Sequence, residues 1–157
     1  MRTEIRPAAG GGIWISEGKG DYAGEEGVML TVCDRVRAES VWLPGASAPS
    51  VARAIRAVAE GWLAVCHEEQ TGSGRVLVDP RAFGRERVWG IDGLVHLAVT
   101  DQTTKRTAYA ALEAGEAKRV SAAILASLAS RAPRANPDPL AGARRRTDDN
   151  LRRVFGG

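Results

Sequence analysis

The sequence predicts an α+β protein: tandem, pseudo-symmetric ββββα units with antiparallel four-stranded sheets, then a Pro-rich linker and a short C-terminal helix. Three observations carry this expectation. Gly27-Val28-Met29-Leu30-Thr31-Val32-Cys33-Asp34 returns as Leu94-Val95-His96-Leu97-Ala98-Val99-Thr100-Asp101, so Val28, Leu30, Val32 and Asp34 are each matched 67 positions later. After a two-residue insertion, Leu43, Val51 and Ile55 meet Leu112, Val120 and Ile124 at a spacing of 69. Around both copies, short alternating segments give way to one segment of helical spacing, and internal repetition outranks other sequence signals.

Thr3 to Arg6 and Ile13 to Ser16 flank Ala8-Ala9-Gly10-Gly11-Gly12, which reads as strand, turn, strand. Gly18 to Glu26 is a loop. Val28 to Cys33 alternates with Val28, Leu30 and Val32 on one face, the period of a half-buried strand. Asp34 to Arg37 turns the chain, and Glu39 to Leu43 returns with Val41 and Leu43 inward. Ser47 then stands at an N-cap position with Pro49 in the first turn. Val51, Ile55, Val58 and Trp62 follow at helical spacing, and Gly61 is the stop. The second unit repeats the order: Trp62 to His67 extended, Thr71 to Gly74 a turn, Arg75 to Asp79 a strand, and Pro80 to Asp92 a longer connection. Val95 to Thr100 and Arg106 to Leu112 are its last strands. Ala114 to Ser130 is an Ala-rich helix with Val120, Ile124, Leu125 and Leu128 as its apolar stripe. The units therefore span 1–61 and 62–131. Three prolines in seven residues make 132–146 a linker. In 147–157, Thr147 caps a short helix whose Leu151, Val154 and Phe155 share one face, and so short a helix must dock to be stable.

The chain has 157 residues, 44% of them hydrophobic and 26% charged, the profile of an ordinary globular protein. No apolar run approaches a membrane span, and the first residues lack the apolar stretch of a signal peptide, so a cytoplasmic protein without membrane contact is expected. Cys33 and Cys66 are too few for a disulfide framework and are expected to behave as small buried hydrophobes. The net charge of +3 is unevenly placed: residues 1–132 hold 16 basic and 16 acidic side chains, whereas 133–157 hold six Arg against three Asp. The excess of 19 Arg over 3 Lys accompanies richness in Ala and Gly and reads as compositional.

Little points to an enzyme. His67 and His96 are the only histidines and both fall in strands, where a structural role is usual. No nucleophile elbow surrounds any Ser. The clusters Gly10-Gly11-Gly12 and Gly72-Ser73-Gly74 precede strands, so they lack the helix N-terminus that phosphate loops use. The pairs Glu25-Glu26 and Glu68-Glu69 read as solvated loop residues. No cofactor and no metal site is expected.

The alternation favours nucleic acid. It sets Trp14, Ser16, Met29, Thr31, Ser40 and Trp42 opposite the apolar faces of their strands, and His96, Thr100, Thr107 and Tyr109 likewise in the second unit. If the helices cover one face of each sheet, the other face shows Trp14, Trp42 and Tyr109, on which single-stranded bases can stack. Arg35 and Arg37 at one hairpin tip, Lys105 and Arg106 at the other, and Arg144, Arg145 and Arg146 in the tail are placed to meet phosphates. The competing expectation is that the sheets pack on each other with Trp14 and Trp42 in the core, since large aromatics are usually buried.

Over residues 2–130, two consecutive ββββα units of about this length resemble the layout of the PUR-repeat and Whirly proteins. The resemblance implies binding of single-stranded DNA or RNA on the sheets, without catalysis. The competing function is a structural or assembly protein, such as a phage or mobile-element component, whose Leu151, Val154 and Phe155 arm docks on a neighbouring subunit. That reading implies a homo-oligomer or larger assembly, virion-associated if it belongs to a phage.

Overall fold

A computed structural model of the chain describes residues 2–18, 22, 24–63, 65–80 and 94–131. Within them the first unit contains β1 (Thr3–Ile5), β2 (Gly12–Ser16), β3 (Gly27–Cys33), β4 (Ala38–Pro44) and α1 (Ala48–Ala59). The second contains β5 (His67–Thr71), β6 (Gly74–Asp79), β7 (Val95–Asp101), β8 (Thr107–Leu112) and α2 (Ala114–Arg131). Each set of strands forms an antiparallel meander, ordered β1-β2-β3-β4 and β5-β6-β7-β8. The ββββα layout expected from the repeat is thus the observed one. The linker and the short C-terminal helix expected at 132–157 lie outside the described residues, as does most of the connection between β6 and β7.

The register shows where the repeat changes step. Val28 faces Leu43 as Val95 faces Leu112. The last rungs, Cys33–Ala38 and Thr100–Thr107, close over residues 34–37 in one hairpin and 101–106 in the other, so the two extra residues lie in the turn. Asp34 and Asp101 shape both turns alike. Asp34 Oδ1 accepts from the N–H groups of Val36 and Arg37 at 2.8 and 2.9 Å, and Asp101 Oδ1 accepts from those of Thr103 and Thr104 at 2.8 Å. Such Asx turns supply the chain reversal locally.

One core serves both units. Ile13, Ile15, Val28, Leu30, Val32, Val41 and Leu43 of the first sheet join Val76, Val78, Val95, Leu97, Val99 and Leu112 of the second in a single buried cluster. The helices are exchanged across it: α1 packs on β5, β6 and β7, while α2 packs on β1, β2 and β3 and touches its own sheet at β8. The helices also lie against each other, close enough for the buried Ser121 hydroxyl to donate to the Ala52 carbonyl at 2.7 Å. Ala52, a small buried residue at that contact, permits the approach. Glu116 ties the units further. Its Oε1 accepts from the N–H of Glu113 and its Oε2 from that of Ala8, both at 2.8 Å, which caps α2 and anchors the β1–β2 turn.

Several sequence expectations need correction. The strand expected at Trp62 to His67 is displaced, because the two-residue turn Gly72-Ser73 fixes which residues pair with β6, and these are His67–Thr71. Trp62 does not extend the buried stripe of α1. Gly61 at φ +81 ends the helix, the Trp62 N–H donates to Ala57 O at 2.8 Å, and the indole is turned out to 82% exposure. Ser47 occupies the N-cap position but its hydroxyl makes no cap bond. On α2 the buried positions are Glu116, Ala117, Val120, Ser121 and Ile124; Leu128 is partly buried and Leu125 exposed. Cys33 is half-buried and Cys66 exposed, so neither is a core residue. Among the described residues no helix is long and apolar enough to cross a membrane.

Candidate nucleic-acid interface

The outer faces of the two sheets are those turned away from the shared core. On the first sheet the strand registers align Glu4, Trp14, Thr31 and Ser40 in one row and Ser16, Met29 and Trp42 in the next. On the second they align Glu68, Leu77, Ala98 and Tyr109, then Arg75, Thr100 and Thr107 toward the hairpin tip. Alternation therefore placed Trp14, Trp42 and Tyr109 on the correct side. Neither Trp belongs to the core cluster.

The three rings are not equally available. Trp42 is only 4% exposed, which corrects the expectation that it forms part of an open platform. Tyr22 covers it: its ring stacks on the indole at 4.9 Å between centroids and 15° between planes. Gly18 and Gly27 lie against the same ring with no room for a side chain. Trp14 is half-buried, lies over Gly12, and is covered by the Arg2 guanidinium at 5.4 Å from its centroid, a cation–π contact. Its indole nitrogen is buried without a hydrogen-bond partner in the structure. Tyr109 is the most open, at 41%.

Tyr109 is also where cations gather. Its backbone N–H, on the outer edge of β8, donates to Asp34 Oδ2 at 3.2 Å, which seats the β3–β4 turn of the first unit against the second sheet. Arg35 and Arg37, both exposed, come with that turn, and Val36 between them is 79% exposed. Arg75 shares the outer face one row away, where it pairs with Glu68 at 3.5 Å. Lys105 and Arg106 stand at the β7–β8 tip, exposed, with Lys105 in the left-handed region at φ 59. Thr100 and Thr107, their hydroxyls 2.8 Å apart, lie between that tip and the ring.

Asp34 is ionised within this basic surround. Its partial burial alone would raise its pKa. The hydrogen bonds from Val36, Arg37 and Tyr109 and the charge of Arg37 outweigh this and hold it below the ordinary 3.8.

The opposite hairpin is not an equivalent site. Gln102 N–H donates to Ser73 O at 2.9 Å, and Ser73 Oγ accepts from the Trp42 N–H at 2.7 Å and donates to Trp42 O at 3.2 Å. The β5–β6 turn thus occupies the edge of β4. Ser40, which the register makes the counterpart of Tyr109, carries no ring.

Of the residues expected at an interface, the structure brings Tyr109, Arg35 and Arg37 together, with Lys105 and Arg106 toward the adjoining tip. It leaves Trp14 on the other sheet and covers Trp42. Arg144, Arg145, Arg146, Leu151, Val154 and Phe155 lie outside the described residues. Sequence reasoning passed over Arg75, although alternation placed it outward, and over Arg2, for which no sequence signal existed. His96, expected on this face, is fully buried. Among the described residues no group of His, Cys, Asp and Glu is placed to hold a metal ion.

No family model and no curated protein matches the chain. Two solved structures are similar to it. One is described as a guide-RNA-binding protein complex bound to a gRNA; it is 15% identical over 81% of this chain and 88% of that one, with a TM-score of 0.48. The other is described as MRP1/MRP2 of Trypanosoma bruciei, 15% identical over 80% and 82% of the two chains, with a TM-score of 0.41.

Proposed function

We propose that the chain binds single-stranded nucleic acid without catalysis, on the outer face of the second sheet where the β3–β4 turn of the first unit abuts it. A base stacks on Tyr109, and Arg35, Arg37, Arg75, Lys105 and Arg106 meet the flanking phosphates. The observation that carries this reading is the Asp34–Tyr109 hydrogen bond, because it seats the turn that bears the exposed Arg35 and Arg37 against the strand that bears the exposed Tyr109 ring. A stacked base is worth roughly 1–3 kcal/mol, and each phosphate neutralised by a cation makes affinity fall with salt.

Titration with a fluorescein-labelled single-stranded oligonucleotide at two salt concentrations tests it. Tyr109→Ala is expected to weaken binding by roughly 5- to 150-fold while Tyr109→Phe retains most of it, since the ring does the stacking. Arg35→Ala with Arg37→Ala should flatten the slope of log affinity against log salt by about 1.4, at roughly 0.7 per phosphate contact on a single strand. Absence of binding at low salt would sink the proposal.

A further inference from the structure

Trp62 is the most exposed large hydrophobic side chain among the described residues, at 82%, and it lies on the connection from α1 to β5, on neither of the strands that carry Tyr109 and Arg75. It is nevertheless held. Gly61 at φ +81 turns the chain, the Trp62 and Leu63 N–H groups both donate to Ala57 O at 2.8 and 3.2 Å, and Leu63 packs on the core. Glu60 accepts from Arg56 Nε at 2.9 Å, and that bond is the first cause holding its carboxyl below the ordinary range, with the neighbouring Trp62 side chain adding to it. An exposed ring whose backbone is fixed in this way loses less freedom when something stacks on it.

The surroundings are cationic. Arg53 and Arg56 are exposed on one face of α1, and Lys118 at the start of α2 is near enough to act on Glu60. Glu60 is already engaged by Arg56, so Lys118 adds positive charge beside that pair, and Arg53 lies exposed one turn back along α1 from Arg56. An apolar protein surface closing over Trp62 would have to desolvate Arg56, Glu60 and Lys118, at a cost the adjacent exposed Val65 cannot offset. A nucleobase needs only one face of the ring and leaves those charges in water, facing phosphates.

We propose that Trp62, with Arg53, Arg56 and Lys118, is a second stacking position for single-stranded nucleic acid, on the helix side of the molecule. This rests on the reading that the chain binds such a strand, and it adds a contact that the sheet face does not supply.

The test uses the full chain, fluorescein-labelled oligothymidine of fifteen residues, and the variants Trp62→Ala, Trp62→Phe and Tyr109→Ala. Loss of one stacked base predicts that Trp62→Ala weakens binding by roughly 5- to 150-fold, whereas Trp62→Phe, which keeps a ring, recovers most of it. Intrinsic fluorescence quenched in the wild type but not in Trp62→Phe reports contact at this indole directly. If Tyr109→Ala weakens binding while Trp62→Ala binds as the wild type does, the second position is refuted and the sheet site stands. If Trp62→Ala weakens binding and Tyr109→Ala does not, the sheet site fails and this inference survives. A wild type that ignores the oligonucleotide at low salt refutes both. Unchanged oligonucleotide binding by Trp62→Ala, with a drop in oligomer mass by light scattering, overturns the inference in favour of self-association.

Discussion

At the residue scale, Asp34 and Asp101 look interchangeable in the sequence and are not so in the structure. Both accept two turn N–H groups on Oδ1. Asp34 alone also takes the Tyr109 N–H on Oδ2, across the two units. Asp34→Asn preserves one carbonyl oxygen for the turn but points an amide donor at the Tyr109 donor. It is expected to lower stability by about 1–2 kcal/mol, a charged hydrogen bond moderated by partial exposure. Asp101→Asn, which keeps its acceptor, should cost less than half of that in chemical denaturation. The pH dependence follows the same bond. The Asp34 pKa is lowered on folding, so its contribution is present above the unfolded value near 3.8 and is lost as pH falls through the lower folded value. Asp34→Asn should therefore flatten the acid limb of a stability curve below about pH 4; an unchanged limb would contradict the assignment. The sequence showed the paired aspartates and the basic tips around them. It could not show the third hydrogen bond, because which edge a turn meets is set by how the units pack and not by local spacing.

At the element scale, the hairpins are equivalent in a way the residue repeat conceals. Ile13 pairs with Val32 and Val76 with Val99, which makes Gly11 and Gly74 counterparts at a spacing of 63, four short of the spacing in the next strand. A Cβ at Gly11 would strike the Cys33 carbonyl and one at Gly74 the Thr100 carbonyl, themselves equivalent positions. Gly11 also has φ +77. Gly11→Ala and Gly74→Ala are each expected to destabilise by about 1–3 kcal/mol, since a ladder carbonyl must move and, at Gly11, a strained conformation is added. Gly72→Ala, with open space around it, should stay within about 0.5 kcal/mol. Thermal denaturation of the three variants checks the ranking. Period-2 alternation found these strands and their inward faces because burial on one side enforces it. It failed at Trp62 and Val65, apolar residues that stand exposed between α1 and β5, and at Trp42, where Tyr22 covers a face that alternation correctly called outer.

At the scale of the whole molecule, the exchange of helices decides what can fold. The stripe Val51, Ile55 and Val58 of α1 is covered by β5, β6 and β7, and the inner face of β1, β2 and β3 is covered by α2. Nothing in the sequence distinguished a helix that closes its own unit from one that crosses to the other, because the same apolar stripe serves either bed. The consequence is physical. A chain of residues 1–61 would leave bare both the α1 stripe and the sheet face that awaits α2, while losing the anchoring of Ala8 by Glu116 and of Ser121 on Ala52. The losses in the complementary half are the mirror of these. Each half buries too little apolar surface to offset the conformational entropy of ordering, roughly 1–2 kcal/mol per residue. The intact chain is therefore expected to unfold in one cooperative transition with matching calorimetric and van't Hoff enthalpies. Residues 1–61 and 62–157 made separately should show no thermal transition alone, and mixing them should restore both the transition and the near-ultraviolet signal of Trp42 stacked on Tyr22. A sharp transition from either half by itself would show that its own helix can turn back to cover its own sheet.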